Sequence, residues 1–89
     1  MTFQGAKIKE RGLTCGVVIV ETNVIGDEVE ADRMITAFQN QVFHRIAVVL
    51  MAQDRQGTPT YYGRADAVRI VETLDVGRIP WTEYTIKSV

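Results

Sequence analysis

Two stretches of the chain, residues 13–21 and 45–52, are apolar at nearly every central position. The first has the β-branched centre Val17-Val18-Ile19-Val20, and the second alternates Ile46, Val48 and Leu50 with Ala47, Val49 and Met51. Successive side chains of a strand point to opposite faces of its sheet. Both stretches therefore predict strands with two apolar faces, covered either by protein on both sides or by protein on one side and an interface on the other.

Two amphipathic helices are predicted from apolar positions that recur every three or four residues. The first begins near Asp27, where Glu30 stands three residues later as in a capping box. Its apolar stripe consists of Ala31, Met34, Ile35, Phe38 and Val42. The second helix covers residues 65–74, with Gly77 placed to end it. Its stripe consists of Ala67, Val68, Val71 and Leu74.

Three weaker strands complete the pattern. Residues 6–11 alternate around Ile8, and the lysines Lys7 and Lys9 are typical of an edge strand. Residues 53–57 have the chemistry of a hairpin turn, and residues 58–62 return as a strand that Pro59 places at a sheet edge. The last strand, residues 81–87, is entered through Pro80.

The order β-α-β-β-α-β, with an optional extra strand at the N-terminus, favours a single α+β domain over residues 1–89. Its simplest architecture is the split βαβ, ferredoxin-like two-layer sandwich, with two helices on one face of an antiparallel sheet. The two-faced apolar strands disagree with that topology, because one of them would lie at an edge. The alternative is a small mixed α/β sheet, such as a thioredoxin-like half, in which these two strands are central, parallel neighbours.

Composition narrows the classes of function. The net charge of −1, from 10 basic and 11 acidic residues, lacks the basic excess of a nucleic-acid-binding surface. The single cysteine, Cys15, excludes an internal disulfide, which favours a cytoplasmic location, and its place in an apolar strand predicts a buried, unreactive thiol. No apolar run approaches the roughly 20 residues that a membrane-spanning helix needs. We expect a soluble protein with neither nucleic acid nor membrane as a partner.

The best candidate for a ligand site is the turn from Tyr61 and Tyr62 through Arg64 to Asp66, where a strand ends and a helix begins. Free backbone N–H groups and the positive end of the helix dipole gather at such a point. With the forked cation of Arg64, this turn would suit a small anionic ligand such as a phosphate or carboxylate. The alternative is an ordinary strand-to-helix turn.

His44 and Asp54 are further candidates, for a general base and a ligand contact respectively. His44 stands between the first helix and the second apolar strand, where it would equally complement the helix dipole. Asp54 lies in the hairpin, where it would equally be a turn residue. The acidic residues around Asp27 are explained by the helix start, and one histidine with one cysteine does not form a zinc site. We expect no metal and no cofactor.

The leading hypothesis is a non-catalytic, self-associating binding module. A two-layer sandwich leaves one sheet face open, and the two-faced strands together with the aromatic residues Trp81 and Tyr84 would supply apolar surface for a homodimer. One alternative is a small enzyme with a pocket formed by Tyr61, Tyr62, Arg64 and His44. The other is a protein that binds a partner by adding a strand to an open sheet edge.

Overall fold

A computed structural model describes residues 2–86. Its core is one five-stranded sheet in the order β4-β3-β2-β1-β5. The strands are β1 (Thr2–Glu10), β2 (Leu13–Ile19), β3 (Ala47–Gln53), β4 (Pro59–Tyr62) and β5 (Thr82–Thr85). Among the strands of this described part, only β2 and β3 pair in parallel; β1 with β2, β1 with β5, and β3 with β4 are antiparallel. The protein is thus a small mixed α+β domain.

Within residues 2–86, three helices connect the strands, namely α1 (Thr22–Ile25), α2 (Glu28–Gln41) and α3 (Ala65–Glu72). The predicted start of α2 is confirmed, because the Asp27 side chain caps the helix by accepting a hydrogen bond from the backbone N–H of Glu30 at 3.2 Å. The short helix α1 was not predicted from the sequence. A 3-10 turn, Val76–Arg78, follows α3, so Gly77 lies inside this turn rather than at the helix end.

The helices cover both faces of the sheet. On one face Ala31 and Phe38 of α2 pack in a core with Val18 and Leu50, and on the other face α3 packs over the alternate residues of the same strands. The second core contains Cys15, Val17, Val49, Met51, Ala67 and Val71. The two-faced apolar strands are therefore buried by protein on both sides, in the manner of parallel strands in α/β proteins.

The predicted ferredoxin-like sandwich is not the observed arrangement. That architecture has an antiparallel sheet with both helices on one face, whereas here β2 and β3 are parallel and α2 and α3 lie on opposite faces. The physical reason is burial. The two strands with two apolar faces take the centre of the sheet, where helices cover both faces, and the polar, short strands β4 and β5 take its edges.

The N-terminal strand was wrongly predicted to be a short edge strand. Strand β1 is nine residues long and lies inside the sheet between β2 and β5, with Phe3 on one core and Ile8 on the other. The edge position of β4 is confirmed, since β4 pairs with β3 alone among the strands of residues 2–86. The predicted last strand is shorter than expected, and its position 87 lies outside the described residues.

None of the helices within residues 2–86 combines the length and the apolar character needed to cross a membrane.

Candidate ligand-binding cleft

The turn after α2 is fixed by the ring of Phe43. This side chain is buried, and its backbone N–H donates to the carbonyl of Phe38 at 2.8 Å. The ring lies directly over Gly16 of β2, where a Cβ atom would stand 2.6 Å from the nearest ring atom. The Gln39 side chain donates to the carbonyl of Ile46 at 3.1 Å, which ties the helix to the start of β3. Together these contacts hold residues 44 and 45 at the end of the sheet where β3 begins.

The end of β4 reaches the same place because residue 63 is glycine. A Cβ atom at Gly63 would stand 2.9 Å from the carbonyl oxygen of Val48. Without a side chain, the backbone passes close over β3 and turns into α3. The turn that begins α3 therefore lies beside the turn that ends α2.

These two turns enclose an open cleft of about 610 Å³, a volume within the range of small-molecule sites. Its rim is polar and includes Asp32, Asn40, Arg45, Tyr62 and Arg64. Its floor is apolar and is formed by Ile35, Ile46, Ala47 and Val48. The cleft thus combines two guanidinium groups at the rim with an apolar surface below them.

Arg45 has an unusual backbone conformation for this position. Its φ angle is +63°, in the left-handed region that costs an L-residue other than glycine about 1–2 kcal/mol. Its side chain is exposed, and within residues 2–86 its guanidinium group forms neither a hydrogen bond nor an ion pair. Strained residues of this kind are found preferentially at functional sites.

The guanidinium group of Arg64 is held by Asp66. Its Nε donates to Asp66 Oδ1 at 2.6 Å and a terminal nitrogen donates to Oδ2 at 3.0 Å, forming a bidentate pair. Asp66 Oδ1 also accepts from the backbone N–H of Ala67 at 2.9 Å, so the carboxylate caps the start of α3. The hydrogen bond from Arg64 lowers the pKa of Asp66. The sequence predicts that a ligand anion binds at this helix start, and in the structure the Asp66 carboxylate occupies that position.

Tyr62 links the two sides of the cleft. Its hydroxyl group donates to Asp32 Oδ1 of α2 at 2.7 Å, across thirty positions of sequence. This hydrogen bond, followed by desolvation and the negative charge of Asp32, raises the pKa of Tyr62 to about 12. The tyrosine is therefore neutral at physiological pH and acts as a hydrogen-bond donor.

The other candidates from the sequence lie elsewhere. Tyr61 packs against the core on the α3 side of the sheet, because it alternates with Tyr62 along β4. His44 is exposed in the turn and is not among the residues that line the cleft. Asp54 lies beyond the far end of β3, about 20 Å from the cleft at the usual rise per residue. Its carboxylate accepts from the backbone N–H groups of Gln56 and Thr58, so it stabilises the hairpin turn.

Four polar residues that line the cleft, Asp32, Gln39, Asn40 and Arg45, were not predicted as site residues. Asp32 and Asn40 lie on the polar side of α2, where the sequence indicates only a solvated face. Arg45 was assigned to the following strand, since glycine or asparagine is the usual residue in a left-handed turn. The one feature of the sequence that could have indicated Arg45 is its position as a polar residue between a helix and a buried strand.

Cys15 is buried, as predicted, and burial raises the pKa of its thiol. The structure brings together no group of three metal-ligating side chains anywhere in the stretch from residue 2 to residue 86.

No family model, no curated protein and no solved structure matches this chain.

Proposed function

We propose that the protein is a non-catalytic binding module that holds a small anionic molecule in the cleft between the α2–β3 turn and the start of α3. The observation that carries the proposal is Arg45, a cation without a partner within residues 2–86, held in a strained backbone conformation at the rim. Arg64 lies on the same rim, and the floor between them is apolar. The complementary ligand carries a carboxylate or phosphate group on a partly apolar body.

The rim supports binding better than catalysis. The guanidinium groups of Arg45 and Arg64 donate hydrogen bonds and accept none, and the pKa of Tyr62, raised to about 12, keeps its hydroxyl neutral. His44, the general base of the enzyme hypothesis, is not part of the cleft lining. The groups at the rim are thus suited to hold an anion rather than to transfer a proton.

The proposal is tested by titrating the ¹⁵N-labelled protein with inorganic phosphate and with acetate. We expect saturable shifts of the backbone amides at residues 45 and 63. Replacing Arg45 by glutamine should weaken phosphate binding roughly tenfold, the effect of losing one charged hydrogen bond. Arg55→Gln removes the same charge from the hairpin at the opposite end of β3 and should leave the affinity unchanged. Equal weakening by both variants would show only general charge attraction.

A second variant tests the role of Arg64 in the opposite direction. Because the Asp66 carboxylate occupies two donors of Arg64, an incoming anion must compete with it. Asp66→Asn removes this competitor and frees the guanidinium group, so we expect tighter phosphate binding. Weaker binding in this variant would exclude Arg64 from the site.

Self-association and a cytoplasmic location remain predictions. A homodimer was predicted to form on an open sheet face, but α2 and α3 cover both faces of the sheet. The aromatic residues assigned to that face are also packed, with Trp81 against the α3-side core and Tyr84 stacked on Phe3. A mass measurement in solution at micromolar concentration decides the oligomeric state. The buried, unpaired thiol of Cys15 is compatible with a reducing compartment.

A further inference from the structure

The C-terminal half of β1, residues 6–10, has an open edge although the strand as a whole lies inside the sheet. Strand β5 pairs with β1 only from Thr2 to Gly5, where Gly5 stands opposite Thr82. In the continued register the next hydrogen-bonding position of β5, two residues before Thr82, is Pro80. Because proline has no backbone N–H, it ends the ladder there. Residues 6–10 therefore have β2 on one side and, within residues 2–86, no strand on the other.

The register identifies the backbone groups that this edge presents. Glu10 and Leu13 face each other across the two-residue turn Arg11-Gly12, whose φ angles of 51° and 80° are those of a type I′ hairpin. The residues that flank such a turn form a hydrogen-bonded pair, so Glu10 directs its N–H and C=O groups toward β2. This direction alternates along an antiparallel strand. Lys7 and Lys9 consequently direct theirs toward the open side.

The open edge lines one wall of a groove of about 620 Å³. The opposite wall is the segment that connects α3 to β5, with Leu74, Arg78 and Ile79 among its lining residues. This groove lies at a different part of the sheet from the cleft with Arg45, and the two share no lining residue. An extended segment placed along β1 would be enclosed between the sheet edge and this wall.

The side chains of the groove differ between its two faces. Ile8 and Ile79 belong to the core on the α3 side, with Leu74 packed against it, whereas the exposed Lys7 and Lys9 alternate with Ile8 and point to the other face. Lys7, Lys9 and Arg78 form no ion pair within residues 2–86, and they outnumber the two carboxylates of the groove, Glu10 and Asp75. A complementary strand would alternate acidic and apolar residues.

We infer that this groove binds an extended, acidic segment of a partner protein by strand addition to β1. Two acidic side chains at i and i+2 pair across the strands with Lys7 and Lys9, and the apolar residue between them lies toward Ile8, Leu74 and Ile79. The backbone of Lys7 and Lys9 supplies the hydrogen bonds. Pairing of two copies of β1 centred on Ile8 would place Lys7 opposite Lys9, a like-charge contact that disfavours a second copy as the occupant.

The first test measures binding of a fluorescein-labelled peptide, Thr-Glu-Val-Glu-Val-Thr, by fluorescence anisotropy. We expect the double variant Lys7→Glu/Lys9→Glu to bind at least tenfold more weakly. The matched double variant Arg55→Glu/Arg69→Glu makes the same change in charge outside the groove and should bind normally. A peptide of the same composition but without alternation, Thr-Val-Val-Glu-Glu-Thr, should bind at least tenfold more weakly to the wild-type protein. Equal binding of the two peptides would overturn the proposal.

The second test distinguishes strand addition from charge attraction. In amide hydrogen exchange followed by NMR, the N–H groups of Lys7 and Lys9 should exchange more slowly when the peptide is bound, while that of Ile8, directed toward β2, should change little. Two peptides N-methylated at alternate sets of residues should differ in affinity, because only one set faces β1. Unchanged exchange at Lys7 and Lys9 would overturn the proposal, as would their protection in a dimer of the protein without peptide.

Discussion

At the scale of single residues, the cleft depends on positions whose conformation the sequence does not reveal. Arg45 adopts a left-handed conformation because Phe43 is anchored over Gly16 before it and Ile46 enters the buried strand after it. Tertiary contacts thus determine this backbone turn, whereas sequence patterns report local preference only. Tyr62 and Arg64 were predicted as site residues because they flank a strand-to-helix turn. Both line the candidate cleft, and their role in binding a ligand stays a prediction.

The pair of Tyr62 and Asp32 gives a prediction about pH. The folded protein raises the pKa of Tyr62 from 10.0 to about 12, so the pair favours the neutral hydroxyl and stabilises the fold fully below pH 10. This contribution is lost as the pH rises from 10 through 12. In urea unfolding experiments, the excess stability of the wild type over Tyr62→Phe should be constant up to about pH 9 and shrink above pH 10.

The control uses ultraviolet titration of the tyrosines. Asp32→Asn removes the negative charge of the hydrogen-bond acceptor, so the pKa of Tyr62 should return toward its ordinary value of 10.0. The chain has three tyrosines, and Tyr62→Phe identifies the one that changes. A titration curve that is identical in wild type and Asp32→Asn would contradict the pairing.

At the scale of elements, the apolar periodicity predicts the central strands and the two long helices well. Strands β2 and β3 were predicted from two apolar faces, and both helices from their stripes, because burial imposes these patterns directly. Strand β1 was misplaced since its two faces carry small residues, Gly5 and Ala6, next to exposed lysines. Small residues give a weak apolar signal even when they are buried in the middle of a sheet.

Packing of the Phe43 ring, in the turn after α2, on β2 gives a prediction about Gly16. A methyl group at this position would stand 2.6–2.8 Å from atoms of the Phe43 ring, which is itself buried and cannot move aside freely. We expect Gly16→Ala to lower the free energy of unfolding by about 1–3 kcal/mol, the usual cost of an overpacked core. Circular dichroism during urea unfolding measures this loss.

A double-mutant cycle provides the control. Phe43→Leu removes part of the ring that the new methyl group would meet, so Gly16→Ala should cost less in the Phe43→Leu background than in the wild type. Gly12→Ala is a poor comparison, because the φ angle of Gly12 is +80° and the substitution is strained even though space is open. Additive losses in the cycle would show that the ring and the glycine do not contact each other.

At the scale of the whole molecule, the strand order was not available from the sequence. The order of elements is compatible with both a two-layer sandwich and a mixed sheet with helices on two faces, and periodicity within each element does not say which strands are neighbours. The two-faced strands did carry the information that two helical layers were needed. The two-layer sandwich was nevertheless predicted because it is the simplest topology for this order of elements. It led to the prediction of a homodimer on an open sheet face, whereas α2 and α3 cover both faces.

The covered sheet makes a quantitative prediction for Leu50 and Met51, which are adjacent in β3 and both inaccessible to solvent. Leu50 points into the core on the α2 side and Met51 into the core on the α3 side. Leu50→Ala and Met51→Ala should each lower the free energy of unfolding by about 2–5 kcal/mol. Gln53→Ala, at the exposed end of the same strand, removes one exposed hydrogen bond to the carbonyl of Gly57 and should lower it by only about 1 kcal/mol or less. In a two-layer sandwich one of the two core substitutions would face solvent and cost little. A loss below 1 kcal/mol at either core position, measured by urea unfolding, would therefore show that a helix does not cover that face.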